Sequence, residues 1–234
     1  MRTSYRVTIS AKKTFRNMFF AIGIALLCLT CLLSPSLVQA KTSEVSLDLS
    51  DEEKAWLNSH PVVRVHNEKD WAPFNYFESG NPRGLSIDYM NLLAEKLGIE
   101  IKYVTGPSWN EFLGMIKSKE LDIMLNIVRT EDRLKYLLYT APYIRNPNVI
   151  VSSADSPHDS VEQLAGKTVA FPKGFFYEEV LTKSFPHIRR LAVEDTLASL
   201  KAVSFGKADA ALGESAVVKN LIEENLLTGL KISG

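Results

Sequence analysis

Residues 121–143 read LDIMLNIVRTEDRLKYLLYTAPY, and the fold turns on how this stretch is read. Leu121–Leu125 is an apolar run with the length of a buried strand. It empties into a polar loop, Asn126 to Thr130. Thr130 is placed to cap a helix, with Glu131 and Asp132 in its first turn, where acids suit the helix dipole. Arg133 then falls just inside that helix, near the carboxyl end of the strand, where open α/β sheets hold their ligands. A guanidinium beside free backbone N–H groups suits a small carboxylate, because its planar fork engages both oxygens. The same position equally suits a solvated arginine beside two acids. The local sequence leaves both readings open.

Working outward, the upstream chain alternates strand and helix. Ser50-Asp51-Glu52-Glu53 reads as a capping box before a short helix that Pro61 stops. Val62–His66 reads as the first strand, and Asp70–Asn81 as an irregular loop with aromatics, closing in a Gly80-Asn81-Pro82 turn. Ser86 is expected to cap a helix carrying Ile87, Met90, Ala94 and Leu97 at helical spacing, ended by Gly98. A strand follows at Ile99–Val104. Ser108-Trp109-Asn110-Glu111 is a second capping box, before Trp109, Phe112, Leu113 and Ile116 on one stripe. Strands joined by crossover helices predict a parallel sheet.

Downstream the pattern restarts. Asn148–Ser152 reads as a strand or crossover, and strands are expected at Lys167–Phe171, Ile188–Val193, Ala208–Leu212 and Leu230–Ile232. Helices are expected at Gly174–Ser184, Thr196–Phe205 and Ser215–Asn225, with one helical turn from Ser160 to Gln163. The reading is therefore α/β with two similar lobes, residues 62–147 and 148–234, after a linker and short helix at 41–61.

Residues 1–40 form a separate segment. Arg2, Arg6, Lys12, Lys13 and Arg16 precede an apolar run, Met18–Leu33, and Val38-Gln39-Ala40 offers small residues for a signal peptidase. This predicts a secretory leader cleaved after Ala40 and a periplasmic chain; an uncleaved leader would anchor it in the membrane. Both cysteines, Cys28 and Cys31, lie in the leader, so disulfides and thiolate metal sites are excluded from the exported part. The formal charge of zero also changes there. Of 27 basic residues five belong to the leader, leaving 22 against 27 acidic ones, a net of −5. A mildly acidic exported chain argues against a nucleic-acid partner.

The sequence carries no motif for catalysis. His60, His66, His158 and His187 show no metal-ligand spacing and no pairing with a nucleophile. No metal or cofactor is expected. A binding cleft between facing strand ends has better candidates. Arg133 comes from the first lobe. Gly174 opens a helix in the second, and Glu214 stands past a second-lobe strand, where it could face a ligand ammonium or act as an ordinary helix N-terminal acid. Trp71, Phe74, Phe175 and Phe176 are candidate apolar walls or core residues.

Several pieces, in order, carry a family resemblance: Trp71-Ala72-Pro73-Phe74, Gly84-Leu85-Ser86-Ile87-Asp88, Trp109-Asn110, Leu121-Asp122-Ile123, Thr130-Glu131-Asp132-Arg133, Tyr139-Thr140-Ala141-Pro142-Tyr143, Leu164-Ala165-Gly166-Lys167-Thr168-Val169, Lys173-Gly174 and Gly206-Lys207-Ala208-Asp209-Ala210. Together they resemble the bacterial extracellular solute-binding proteins of family 3, the polar amino-acid-binding type. The resemblance implies a two-lobed periplasmic-binding-protein type II fold closing on a small amino-acid-like or carboxylate ligand. It implies a carboxylate-binding role for Arg133, an amino-group role for Glu214 and a pocket wall at Trp71. The expected ligand set is Trp71, Phe74, Asn126, Thr130, Arg133, Gly174, Phe175 and Glu214.

Two departures stand out against the family pattern. Phe175-Phe176 replaces the small hydroxyl pair usual after Lys-Gly, and Val128 replaces a usual threonine. The run from Leu49 to Leu57 with His60-Pro61 resembles the start of such domains in virulence sensor kinases and their cyclase relatives. The resemblance thus allows a transport receptor partnered with an inner-membrane permease, or a sensor module fused to a signalling domain. An enzymatic alternative is a cyclohexadienyl dehydratase or the front of a lytic transglycosylase, the former with His66 or Glu68 as acid/base. In the family the chain returns to complete the first lobe, so about fifty residues are expected beyond Gly234, and lobe 1 is expected to be incomplete.

Overall fold

The structure, a computed structural model, describes residues 47–233; the leader read at residues 1–40 lies outside them. Helix α1 (Asp51–Ser59) begins with the expected capping box: Ser50 Oγ accepts from Glu53 N at 3.2 Å, and the Glu53 carboxylate accepts from Ser50 N at 2.8 Å. None of its residues is buried.

Strand β1 (Val62–Asn67) runs into a segment where the sequence predicts an irregular loop. That segment is instead a small antiparallel sheet of β2 (Asp70–Trp71), β3 (Asn75–Glu78) and β4 (Asn81–Arg83). The reason is the two-residue connection Ser79-Gly80, with φ of 51° and 83°. Two successive positive-φ residues make the turn whose twist suits a hairpin.

Helix α2 (Leu85–Leu97) starts two residues earlier than expected, and Ser86 is not its cap. Carbonyls of the preceding loop take that role: Leu85 N donates to Pro73 O at 3.0 Å and Ser86 N to Phe74 O at 2.8 Å. Gly84 makes the approach possible. Its φ is +113°, and a Cβ there would collide with the Phe74 and Pro73 carbonyls. Gly98 ends the helix in the left-handed conformation, as read. Strand β5 (Glu100–Thr105) pairs in parallel with β1, Val62 opposite Glu100 and Asn67 opposite Thr105. Helix α3 (Trp109–Lys117) buries Trp109, Phe112 and Leu113 after its own capping box.

The deciding stretch departs from expectation twice. Leu121–Leu125 lies beside β1 and is mostly buried, yet it makes only one bridge, Val65 with Ile123. Ile123 N donates to Arg64 O at 3.1 Å and His66 N to Ile123 O at 3.0 Å. The ladder ends there because the Leu125 N–H goes to the His66 imidazole, Nδ1 accepting at 2.9 Å. The helix expected after Thr130 is a single 3-10 turn, Arg133–Lys135. Leu134 is partly and Leu138 fully exposed, and a short helix without a buried face does not propagate.

The C-terminal half holds a five-stranded sheet in the order β10-β6-β9-β7-β8. Its strands are β6 (Asn148–Ser153), β7 (Thr168–Pro172), β8 (Arg189–Val193), β9 (Ala210–Glu214) and β10 (Leu230–Ser233). β7 pairs in parallel with β8 and β9, whereas β6 runs antiparallel to β9 and β10. Helices α4 (Phe176–Ser184), α5 (Thr196–Ser204) and α6 (Ser215–Glu224) cover it. Alternation along β7 feeds two cores: Val169 and Phe171 pack with Leu164, Tyr177 and Leu181, and Ala170 packs with Leu200, Val203, Val217 and Val218. Asp48–Gly234 forms one compact unit, and Phe74 from the N-terminal half lies in the second of these cores. Among the described residues no helix is long and apolar enough to cross a membrane.

Candidate ligand-binding site

The strand ends and their following loops meet around a small, partly open cavity. Arg133 reaches it from the 3-10 turn and is 6% exposed. Its Nη1 donates to Val128 O at 2.8 Å and its Nη2 to Gly174 O at 3.0 Å. Among the described residues it takes part in no ion pair. Burial therefore pushes its pKa down from the usual guanidinium value. Trp109 Nε1 donates to the same Gly174 carbonyl at 3.1 Å, and the Trp109 ring lies 5.7 Å from the guanidinium. Gly174 bears this crowding because it has φ +80° and no Cβ; one added there would sit 3.3–3.4 Å from Asn110, Leu113 and Trp109.

Glu214 enters from the end of β9 and is 7% exposed. Tyr177 OH donates to its Oε1 at 3.2 Å, and Oε2 has no partner among the described residues. Burial is the largest cause raising its pKa to about 7. Near neutral pH this carboxyl is poised between its neutral and charged forms, so a ligand ammonium would draw the proton off. The Tyr177 hydroxyl is itself raised, by burial and by the adjacent carboxylate.

A polar network forms one wall. Asn126, at φ +55°, accepts at Oδ1 from Tyr143 OH at 2.6 Å and Ser86 Oγ at 2.9 Å. Its Nδ2 donates to Asn75 Oδ1 at 2.7 Å. Ser86 is thus a buried network member rather than the helix cap. Phe175 packs edge-on to Trp109 with ring centroids 5.2 Å apart.

Of the expected ligand set, Trp71, Asn126, Arg133, Phe175 and Glu214 line this cavity. Thr130 and Gly174 line an adjoining open groove that shares Arg133, Phe175 and Phe176 with it. Gly174 does not open α4; that helix starts at Phe176 with Phe175 as its N-cap. Phe74 lines neither space: it is 5% exposed, in the core, with the Trp71 ring 5.2 Å away. The structure adds Asn75, Trp109 and Leu125, together with His66 and Glu68, which the sequence offers only as acid/base candidates. Asn75 and Trp109 had no local signal, since Asn75 fell in a stretch read as an irregular loop and Trp109 on a helix stripe read as packing.

Comparison with known proteins places this geometry. The profile of the bacterial extracellular solute-binding proteins, family 3, matches residues 63–220, and the chain belongs to that family. It is 24% identical over 195 residues to the virulence sensor protein BvgS of Bordetella pertussis, covering 83% of this chain and 16% of the sensor. The chain therefore spans about one sixth of that relative. It is 30% identical to the arginine-binding extracellular protein ArtP of Bacillus subtilis, over 67% of this chain and 62% of ArtP. A histidine kinase sensor domain with similarity to periplasmic binding proteins superposes with a TM-score of 0.71 at 23% identity, covering 76% of this chain and 78% of that one. The fold is that of the periplasmic binding proteins, and the chain is a solute-binding domain.

Proposed function

We propose that this domain works in the periplasm, as two lobes meeting near residues 147–148 that close on a small zwitterionic, amino-acid-like ligand. The observation that carries this is Arg133: a buried cation that takes part in no ion pair among the described residues and donates to two neutral carbonyls, one from each half. A ligand carboxylate would supply the missing countercharge. Glu214, with an unpartnered oxygen, would take the ammonium. Trp71 and Phe175 form apolar walls, Asn126 anchors the polar wall, and Thr130 and Gly174 border the entrance. Phe74 supports the site from the core rather than touching the ligand. Closure would be a hinge motion of the type common to two-lobed binding proteins.

Ligand occupancy would serve as signal input rather than transport. The long match to a virulence sensor protein supports this, as does the sensor-like start of the domain. We read the domain as non-catalytic. One observation favours an enzyme: His66 Nε2 and Glu68 Oε1 lie 3.6 Å apart at the cavity. Turnover of prephenate or arogenate by the purified chain would establish that alternative.

The test is calorimetry with a panel of amino acids and small carboxylates. A binder is expected from the panel, and Arg133→Ala is expected to abolish its binding while the thermal unfolding transition is kept. Unchanged affinity would remove the assignment. Because Glu214 is raised to about 7, zwitterion binding below that pH should release a proton, measured as a heat that varies with buffer ionisation enthalpy.

A further inference from the structure

Three N–H groups on residues that line the cavity have no hydrogen-bond partner among the described residues: His66 Nε2, Asn75 Nδ2 and Trp71 Nε1. In each case the surrounding bonds fix the group as a donor. Leu125 N–H donates to His66 Nδ1, so the neutral ring carries its proton on Nε2. The nearest carboxylate oxygen, Glu68 Oε1, is 3.6 Å away, outside hydrogen-bond reach. Asn126 Oδ1 receives two hydroxyls, which turns its Nδ2 toward Asn75 and makes Asn75 Oδ1 the acceptor. The Asn75 amide is thereby oriented, and its Nδ2 is left over. Indole Nε1 has no role other than donor. His66 and Asn75 are fully buried. A protein rarely leaves one such group dry, and three around one cavity call for an acceptor.

We infer that His66, Asn75 and Trp71 form a donor subsite for an uncharged oxygen acceptor, such as a carboxamide carbonyl, on the side chain of the bound molecule. The inference rests on the zwitterion reading and adds to it what the side chain must carry. A cationic side chain would set donors against donors. A second carboxylate would sit beside Glu68 and Glu214, which line the same space. An aliphatic side chain would leave the N–H groups unpaired, and sites built to hydrogen-bond their substrate discriminate strongly against such analogues.

The experiment measures binding of glutamine, asparagine, glutamate, arginine and norleucine to the full chain, and to Trp71→Phe and Asn75→Asp. Trp71→Phe keeps an aromatic wall without the N–H. Asn75→Asp keeps the acceptor for Asn126 and replaces the donor by an oxygen. The expected result is a carboxamide bound about tenfold or more tighter than norleucine, glutamate and arginine. The carboxamide-to-norleucine ratio should fall severalfold in both variants, a change that loss of packing alone would not produce. Norleucine, glutamate or arginine binding as tightly as the carboxamides would overturn the subsite and leave the zwitterion reading standing. So would a ratio that both variants leave unchanged. If none of the five binds, the zwitterion reading fails and the subsite fails with it.

Discussion

The two halves of this chain solve the same architectural problem to different degrees. In the C-terminal half every strand of a five-stranded sheet is laddered, and fully buried residues such as Val169, Phe171, Ala210 and Val217 fill both faces. In the N-terminal half the parallel ladder has two strands and one bridge, and the chain from 126 to 147 holds only a 3-10 turn. Val128, Leu134, Leu138 and Tyr143 stand exposed along it. Yet that loosely built stretch supplies Arg133 and Asn126 to the cavity, while the well-laddered half supplies Glu214 from a strand end. Polar groups withdrawn from regular pairing become available to a site. His66 shows the exchange directly, since its imidazole takes the N–H that would have extended the ladder.

The contrast can be broken by experiment, with the largest effect first. Phe171→Ala, at a fully buried position of β7, is expected to lower stability by about 3–5 kcal/mol in urea unfolding. Leu125→Ala in the N-terminal half should cost less, toward the lower end of the roughly 2–5 kcal/mol for such truncations, because its surroundings can collapse. Equal losses would show the halves to be equally well packed.

Glu214 tests the site in the better-laddered half. Its folded pKa of about 7 lies above the ordinary 4.5, so the folded state holds the proton more tightly. Stability should therefore fall as pH rises from about 4.5 to 7, by roughly 3 kcal/mol at about 1.4 kcal/mol per unit. Glu214→Gln should remove that slope. A slope that survives the substitution would place the titration elsewhere.

Arg133→Met probes the opposite side. A buried cation without an anion is a burden to the fold, so this change should leave stability within about 1 kcal/mol or raise it, even as ligand binding is lost. A large loss would mean that the Gly174 carbonyl contact holds the halves together. The smallest effect is expected from Asp122→Asn. Its carboxylate takes Arg64 Nε at 2.9 Å and Nη2 at 2.7 Å, but both side chains are 39% exposed, and the loss should be about 0.5–1 kcal/mol in the same unfolding assay.

Local features were readable from the sequence because their partners are sequence neighbours. The capping boxes at Ser50 and Ser108, the stop at Gly98, the stripe of Trp109, Phe112 and Leu113, and the strands and helices after Asn148 depend on spacing alone. The candidate site was readable in part. Arg133 and Glu214 were singled out by their place beyond apolar runs and by the family pattern, and both reach one cavity. Phe74 misled because an aromatic in a loop reads alike whether it faces a ligand or a core.

What the sequence by itself determined is the order of strands and helices, the helix ends and the family pattern, all set by propensity and periodicity within short windows. Only the tertiary structure decided where each N–H and carbonyl goes once the chain is folded. Leu125 spends its donor on His66, 59 positions away, and the expected strand shrinks to a bridge. Arg133 donates to Gly174, 41 positions away, and the expected helix becomes one turn of which only Arg133 is buried, at the cavity. Hydrogen-bond donors in a folded chain are settled by competition among all nearby acceptors, and distant residues become near only through packing.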